Sequence, residues 1–242
     1  MPRIFNSIRQ RLLKENRLTR YLVYAIGEIV LVVIGILIAL SINTWNKGRQ
    51  DLQAQYELLQ DLRDDLVIQQ ELIAEQITFE EGFVSQIDSA RGYERGQIGA
   101  VELQAILFRL TTRHTFVANK ATMSKMTSSG QIALIRNASL ENSIVRYYQL
   151  SDYTTTVTNN NNLFIVDMQY GPFVSDNALG FGCAATGEME NELMLDREKR
   201  YLLRMKLLQR ERLAKAAIGR FKTLQTATNE LLELIDHELK GS

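Results

Sequence analysis

The apolar residues of the chain follow two different patterns, and the first is an unbroken run. Residues 21–45 read YLVYAIGEIVLVVIGILIALSINTW and contain one charged residue, Glu28. A helix of about 20 apolar residues crosses the hydrocarbon core of a bilayer, and a core helix of a soluble domain is seldom apolar over that length. The run therefore predicts a transmembrane helix.

The second pattern is periodic and belongs to long helices that pack on other helices. One heptad series starts at Leu52, with a companion series that contains Tyr56, Ile77 and Val84, and glycines from Gly92 onward predict the end of this helix. The last predicted helix, residues 188–239, carries ten positions at 4-3 spacing, of which eight are apolar. These ten are Leu203, Leu207, Arg210, Ala214, Ala217, Phe221, Leu224, Thr228, Leu231 and Ile235. We expect the two long helices to pack along each other.

Between the long helices the sequence predicts shorter elements. A helix over residues 101–112 has Val101, Ala105 and Phe108 on one face, and a second short helix over 122–129 ends at Gly130.

Asn137 or Ser139 then caps a helix that reaches about residue 170. The Thr- and Asn-rich run 154–162 weakens its helix propensity, so a break there is the alternative. Residues 171–187, with four glycines and Pro172, predict a loop.

The resulting fold class is all-α, with an N-terminal transmembrane helix that continues into an elongated periplasmic helical bundle. Its predicted parts are a cytoplasmic basic amphipathic segment (1–20), the transmembrane helix (21–45) and a periplasmic bundle domain (46–242).

Charge orients the predicted span. Residues 1–20 hold six basic residues and one acidic residue, and positive charge beside a span stays in the cytoplasm. The basic residues are Arg3, Arg9, Arg11, Lys14, Arg17 and Arg20, and we expect them to contact the anionic inner surface of the membrane. A disordered basic tail that only sets topology is the alternative. A cleaved signal peptide fits less well, because the apolar core is long and ends at Trp45 rather than at small residues.

Small and polar residues share one face of the predicted span. This face consists of Gly27, Glu28, Gly35, Ala39 and Asn43. Small residues four apart let helix backbones approach, and a carboxyl group inside the membrane usually faces protein or water. We expect this association face to contact a second copy or a partner helix. In the alternative, the Glu28 side chain is protonated or reaches the inner headgroups.

The sequence offers little catalytic chemistry. His114 and His237 fall in separate predicted elements, and no metal, phosphate-binding or nucleophile motif occurs. Three tyrosines, Tyr147, Tyr148 and Tyr153, are interpreted as core residues, and Cys183 has no second cysteine to pair with in the chain. We predict neither enzymatic activity, nor a cofactor, nor a metal. Residues 21–242 carry 22 basic and 27 acidic residues, which argues against binding of nucleic acid.

Two stretches resemble an uncharacterised family of bacterial inner-membrane proteins, the domain of unknown function 6090. The first is residues 21–46 with the preceding IRQRLL at 8–13, and the second is SSGQIALI at 128–135 with Leu140, Ile144 and Tyr147-Tyr148 after it. The resemblance covers essentially the whole chain and includes Gly27-Glu28. It implies a bacterial envelope setting and supplies no activity.

Two functional hypotheses follow. In the first, the protein is a single-pass scaffold or accessory protein of the envelope, whose partners are the lipid bilayer and either further copies of itself or an envelope protein. In the second, it is an ion- or force-coupled component, stator-like or signal-relaying, in which Glu28 takes part in proton movement. The analogy behind the second is one of topology and a single carboxylate. With about 20 residues inside the cell, direct sensing requires a partner to carry the output.

Overall fold

The structure is a computed structural model that describes residues 18–177, 179 and 196–241, with side chains from residue 22 onward. The described residues form six α-helices: α1 Leu18–Arg91, α2 Ala100–Arg109, α3 Ala121–Ser129, α4 Ala138–Asn162, α5 Gly171–Asp176 and α6 Arg197–Gly241. Short 3-10 helices lie at Tyr93–Arg95 and Gln131–Leu134, and a π-helix at Leu163–Tyr170. The described residues contain no strand, so the all-α prediction is confirmed.

Two compact units divide the chain, Met1–Gln55 and Tyr56–Ser242. The described part of the first unit is α-helix throughout, because no proline or glycine pair interrupts residues 18–55. Its large apolar side chains are exposed in the single chain, with Leu31 at 68% and Ile29 at 63%. The second unit holds the rest of α1 and all the later helices.

In the second unit α6 lies antiparallel to α1, as the periodic pattern predicts. All ten positions of the predicted 4-3 series in α6 are buried. Polar side chains join the two helices at intervals, in the pairs Arg63–Asp236 (2.7 Å), Gln70–Asn229 (2.6 Å) and Glu81–Lys222 (3.2 Å). The two long helices therefore form the frame on which the shorter helices pack.

The buried face of α1 is partly different from the predicted one. Leu59, Leu66 and Ile73 of the first series are buried, but Leu52 is 44% exposed. The companion series was wrong at two of its three members, because Tyr56 is exposed and Val84 only half-buried, whereas Ile77 is buried. The buried companion positions lie three residues after the first series instead of four, and they are Gln55, Leu62, Gln69, Gln76, Phe83 and Ala90.

The core of the second unit consists of two apolar clusters. The larger one combines α1, α4 and α6, with Phe116 and Phe221 in edge-to-face contact at 4.8 Å between ring centroids. The smaller one combines the end of α1, α2, the π-helix and the start of α6, and Tyr170 is its largest aromatic residue. Along α6, the buried residues belong to the smaller cluster up to Ala214 and to the larger cluster from Ala217. Arg210, the only charged residue of the predicted 4-3 series, lies close to this boundary.

The Thr- and Asn-rich run does not break its helix. Helix α4 passes through it because Thr154, Thr158 and Asn162 recur at four-residue spacing and are buried, so tertiary packing overrides their weak propensity. The winding changes only at Leu163, where the π-helix begins, and Asn137 is the residue that caps α4.

Three local predictions were wrong. Residues 171–176 are helical rather than part of a loop, because Pro172 occupies the first turn of α5, where its missing N–H is not needed. The predicted face of α2 is its outer one, with Phe108 45% exposed, and α2 instead buries Leu103 and Leu107. Tyr153 is 61% exposed and is no core residue, although Tyr147 and Tyr148 are.

The predicted end of α3 is confirmed. Gly130 terminates the helix in the left-handed region at φ 71°, a conformation that residues with a Cβ rarely adopt.

Candidate functional site

The first candidate site is the apolar part of α1. One described helix is long and apolar enough to cross a membrane, with an 18-residue window of mean hydropathy 2.8 in which no residue is buried. A core helix of a soluble protein of this hydropathy has its apolar side chains covered by other elements. Here they are uncovered in the single chain, which favours a membrane segment over a core helix.

The predicted association face lies within this helix. Gly27, Gly35, Ala39 and Asn43 are exposed in the single chain, and Glu28 is half-buried. A Cβ added at Gly27 or Gly35 meets no atom within 4 Å, so nothing packs on the two glycines. Whether another helix packs there stays a prediction.

The predicted membrane-surface residues lie largely outside the described residues. This holds for Arg3, Arg9, Arg11, Lys14 and Arg17. Arg20 lies in the first turns of α1, but its side chain is not among those described, and Cys183 is also outside the described residues.

The second candidate site is an ion pair inside the bundle that the sequence did not predict. Glu80 of α1 and Arg210 of α6 are 1% and 0% exposed, and their closest atoms, Oε2 and Nη1, are 3.7 Å apart. The Arg210 guanidinium lies 4.2 Å from the centroid of the Phe83 ring, a cation–π contact made inside the core. Burying both charges is costly, so the pair must be compensated by further polar contacts.

Backbone carbonyls and a glutamine supply part of that compensation, whereas Glu80 Oε2 and Arg210 Nη1 themselves have no hydrogen-bond partner among the described residues. Arg210 donates from Nε to the Leu110 carbonyl at 3.3 Å and from Nη2 to the Thr112 carbonyl at 3.4 Å. On the other side, Gln76 Nε2 donates to Glu80 Oε1 at 3.3 Å, and His114 Nδ1 donates to Gln76 Oε1 at 2.7 Å. The network thus ties the segment after α2 to both long helices.

Burial acts on both charged partners in opposite directions. It raises the pKa of Glu80 and lowers the pKa of Arg210, while the charge of each partner opposes the shift of the other. Burial also raises the pKa of Tyr170, whose hydroxyl donates to the Leu107 carbonyl at 3.2 Å. The arrangement links α1, α6 and the segment after α2 through polar contacts inside the core.

A faint sequence signal for this pair existed. Arg210 is the only charged residue in the α6 series, and Glu80 is the position at which the α1 series from Leu52 to Ile87 is interrupted. A single charge in an otherwise apolar stripe is usually paired when buried. The pattern of either helix alone does not predict that Glu80 and Arg210 contact each other.

An ion cluster at the surface between α1 and α6 makes the stability of the fold depend on pH. Glu211 is bonded by Arg91 of α1 and lies 2.6 Å from Lys215 Nζ, and these bonds lower its pKa to about 2 from the ordinary 4.5. A carboxylate with a lowered pKa adds stability above pH 4.5, and this part is lost as the pH falls toward 2.

We expect the Glu211→Gln variant to lose less stability than the wild type between pH 5 and pH 2. Urea unfolding of the full chain in detergent micelles across this range measures the difference. A Glu230→Gln variant, in which an exposed acid of the same helix is changed, is the matched control and should follow the wild type. Parallel pH profiles for wild type and Glu211→Gln would contradict the assignment.

The fold is all-α, and the part of the chain that the structure describes contains one candidate membrane helix. The chain belongs to a family of unknown function, DUF6090, whose model matches residues 28–175, more than half of the chain. The match begins at Glu28 and includes the Glu80 side of the buried pair, whereas Arg210 lies beyond it. No curated protein and no solved structure matches the chain.

Proposed function

We propose that the protein is a single-pass, membrane-anchored scaffold or accessory protein of the bacterial envelope that acts by self-association or by binding an envelope partner, without catalysis. The observation that carries the proposal is the uncovered apolar window of α1, with mean hydropathy 2.8. A bundle held by a buried ion pair and long helices is suited to holding shape and to presenting surfaces.

Charge supports one orientation in the inner membrane. With six basic residues against one acidic residue, residues 1–20 are placed in the cytoplasm, and residues 46–242 then lie in the periplasm.

The association face supports assembly within the bilayer. The pair Gly35-x-x-x-Ala39 leaves room for a second backbone, and Glu28 is the single charged residue in residues 21–45. A carboxyl group in hydrocarbon costs at least about 2.5 kcal/mol near the centre of the membrane. Pairing with another helix offsets this cost, so the face is expected to be covered in the membrane.

We expect Glu28→Leu and Gly35→Leu each to reduce crosslinked dimer in native membranes about fivefold or more, because one removes the polar contact and the other the close approach. Val30→Leu and Val33→Leu, on the opposite side of the same helix, are matched controls and should leave the dimer unchanged. Unchanged crosslinking in both Glu28→Leu and Gly35→Leu would rule out self-association through this face.

The ion- or force-coupled function remains the second candidate, and the position of Glu28 as the only charge in the span favours it. Glu28→Gln separates the two. The amide keeps hydrogen-bonding capacity and should preserve a scaffold's complex, but it cannot exchange a proton at this position. Loss of the cellular phenotype with an intact complex would favour proton coupling, and an intact phenotype would favour the scaffold.

A further inference from the structure

The far end of the predicted span carries a contact between an arginine and the single tryptophan of the chain. The Cζ atom of Arg49 lies 5.5 Å from the centroid of the Trp45 ring, within the range of a cation–π interaction. Arg49 follows Trp45 by four residues of the continuous helix α1. Side chains of a helix lean toward its N-terminus, so the arginine lies back over the turn that holds the ring.

This contact sets the depth of the Arg49 charge in a bilayer. The apolar run ends at Ile42, so the hydrocarbon core is expected to end near this residue. The headgroup layer adds roughly 5–7 Å on each side of the core. At about 1.5 Å per residue, the backbone of Trp45 lies about 4–5 Å past Ile42, and the backbone of Arg49 lies about 10 Å past it. The contact with Trp45 therefore brings the guanidinium back from outside the headgroup layer into it.

The charge of Arg49 is not neutralised by the chain itself. Its side chain is exposed, and none of the ion pairs among the described residues includes it. A guanidinium carries more N–H donors than one aromatic ring can accept, so the contact with Trp45 leaves donors for a further partner. At the depth of the headgroups the abundant acceptor is the lipid phosphate, whose oxygens match the paired donors of a guanidinium.

We propose that Arg49, positioned by Trp45, binds the phosphodiester group of a phospholipid in the leaflet that faces away from residues 1–20. The inference rests on the proposed function, because it requires the apolar part of α1 to lie in a bilayer. Trp45 supplies the preference for the interface, and Arg49 adds a selectivity for lipids that carry a phosphate. The bound lipid fixes the depth at which the span ends. Both residues lie in the first unit, so the site does not depend on the bundle.

The test uses the fluorescence of Trp45, which reports on the lipids beside Arg49 because the chain has no other tryptophan. The full chain is reconstituted in vesicles of digalactosyldiacylglycerol, which has no phosphate, mixed with phosphatidylcholine brominated on its acyl chains, which quenches tryptophan. Phosphatidylcholine has no net charge, so its enrichment beside Trp45 reports on the phosphate group. From the dependence of quenching on lipid composition, we expect the wild type to prefer phosphatidylcholine over the galactolipid by about threefold or more.

Arg49→Gln should abolish this preference, since the amide has neither the charge nor the paired donors of a guanidinium. Arg49 is exposed, so the variant is expected to fold. Lys47→Gln changes another exposed cation at the same end of the span and is the matched control, which should keep the wild-type preference. Quenching without a lipid preference in the wild type, a preference retained in Arg49→Gln, or an equal loss in Lys47→Gln would overturn this proposal alone. Absence of quenching in vesicles of pure brominated phosphatidylcholine would overturn the membrane span and this proposal with it.

Discussion

Replacing Arg210 with methionine is expected to lower the free energy of unfolding by about 3–5 kcal/mol. The substitution leaves the Glu80 carboxylate, 1% exposed, without its cation, and it removes the donors to the carbonyls of Leu110 and Thr112. Urea titration of the full chain in detergent micelles, followed by helical circular dichroism, measures the loss.

The double variant Glu80→Leu/Arg210→Met distinguishes a lost ion pair from lost volume. Because it removes both charges, we expect it to recover at least half of the stability that Arg210→Met loses. Arg212→Met changes an exposed arginine of the same helix and should stay within about 0.5 kcal/mol of the wild type. A double variant as unstable as the sum of the two single variants would show that the pair itself does not matter.

The second large effect on stability is expected at Phe221, in the larger apolar cluster. Phe221→Ala should cost about 3–5 kcal/mol, because Phe221 is fully buried and its ring packs edge to face on Phe116 at 4.8 Å. The same urea titration measures it. Leu234→Ala, at a residue of α6 that is 47% exposed, is the control and should cost far less. Similar losses in the two variants would mean that the buried stripe does not hold α6 in place.

The long helices were predictable because their periodicity extends over many turns. In α6 the 4-3 series from Leu203 to Ile235 places its residues on one face of the helix, and the structure buries all of them. The uninterrupted apolar run likewise predicts a continuous helix over residues 21–45, and α1 covers all of them. The end of α3 was predictable at Gly130, because a helix often ends at a residue with positive φ and glycine is the residue that adopts this conformation most readily.

The register of α1 was not predictable in the same way, because three of its six buried companion positions are glutamines. Gln69 accepts a bond from the Asn119 backbone N–H at 2.7 Å, and Gln76 is held by His114. A glutamine in a heptad pattern indicates a surface position unless the segment that covers it is known. Here the chain between α2 and α3 supplies the cover, and single-helix patterns do not report it.

The buried face of α2 was predicted wrongly for a related reason. This helix is short and apolar on more than one side, so its sequence allows two choices. Packing in the smaller cluster selects Leu103 and Leu107, although the other face carries the larger Phe108. The association face around Glu28 is a different case. It was predicted from residue spacing alone, and no other part of the described chain packs on Gly27 or Gly35. Its contact with a second helix in the membrane therefore stays a prediction.

The central claim is that the chain crosses the membrane once and holds residues 46–242 outside the cytoplasm. Single cysteines at residues 6 and 240, as Asn6→Cys and Lys240→Cys in a Cys183→Ser background, test it in spheroplasts treated with a membrane-impermeant maleimide. The account predicts that Lys240→Cys is labelled in intact spheroplasts and Asn6→Cys only after permeabilisation, with both retained in the membrane after carbonate washing. Labelling of the two sites in the reverse order, or release of the chain by carbonate, would contradict the account.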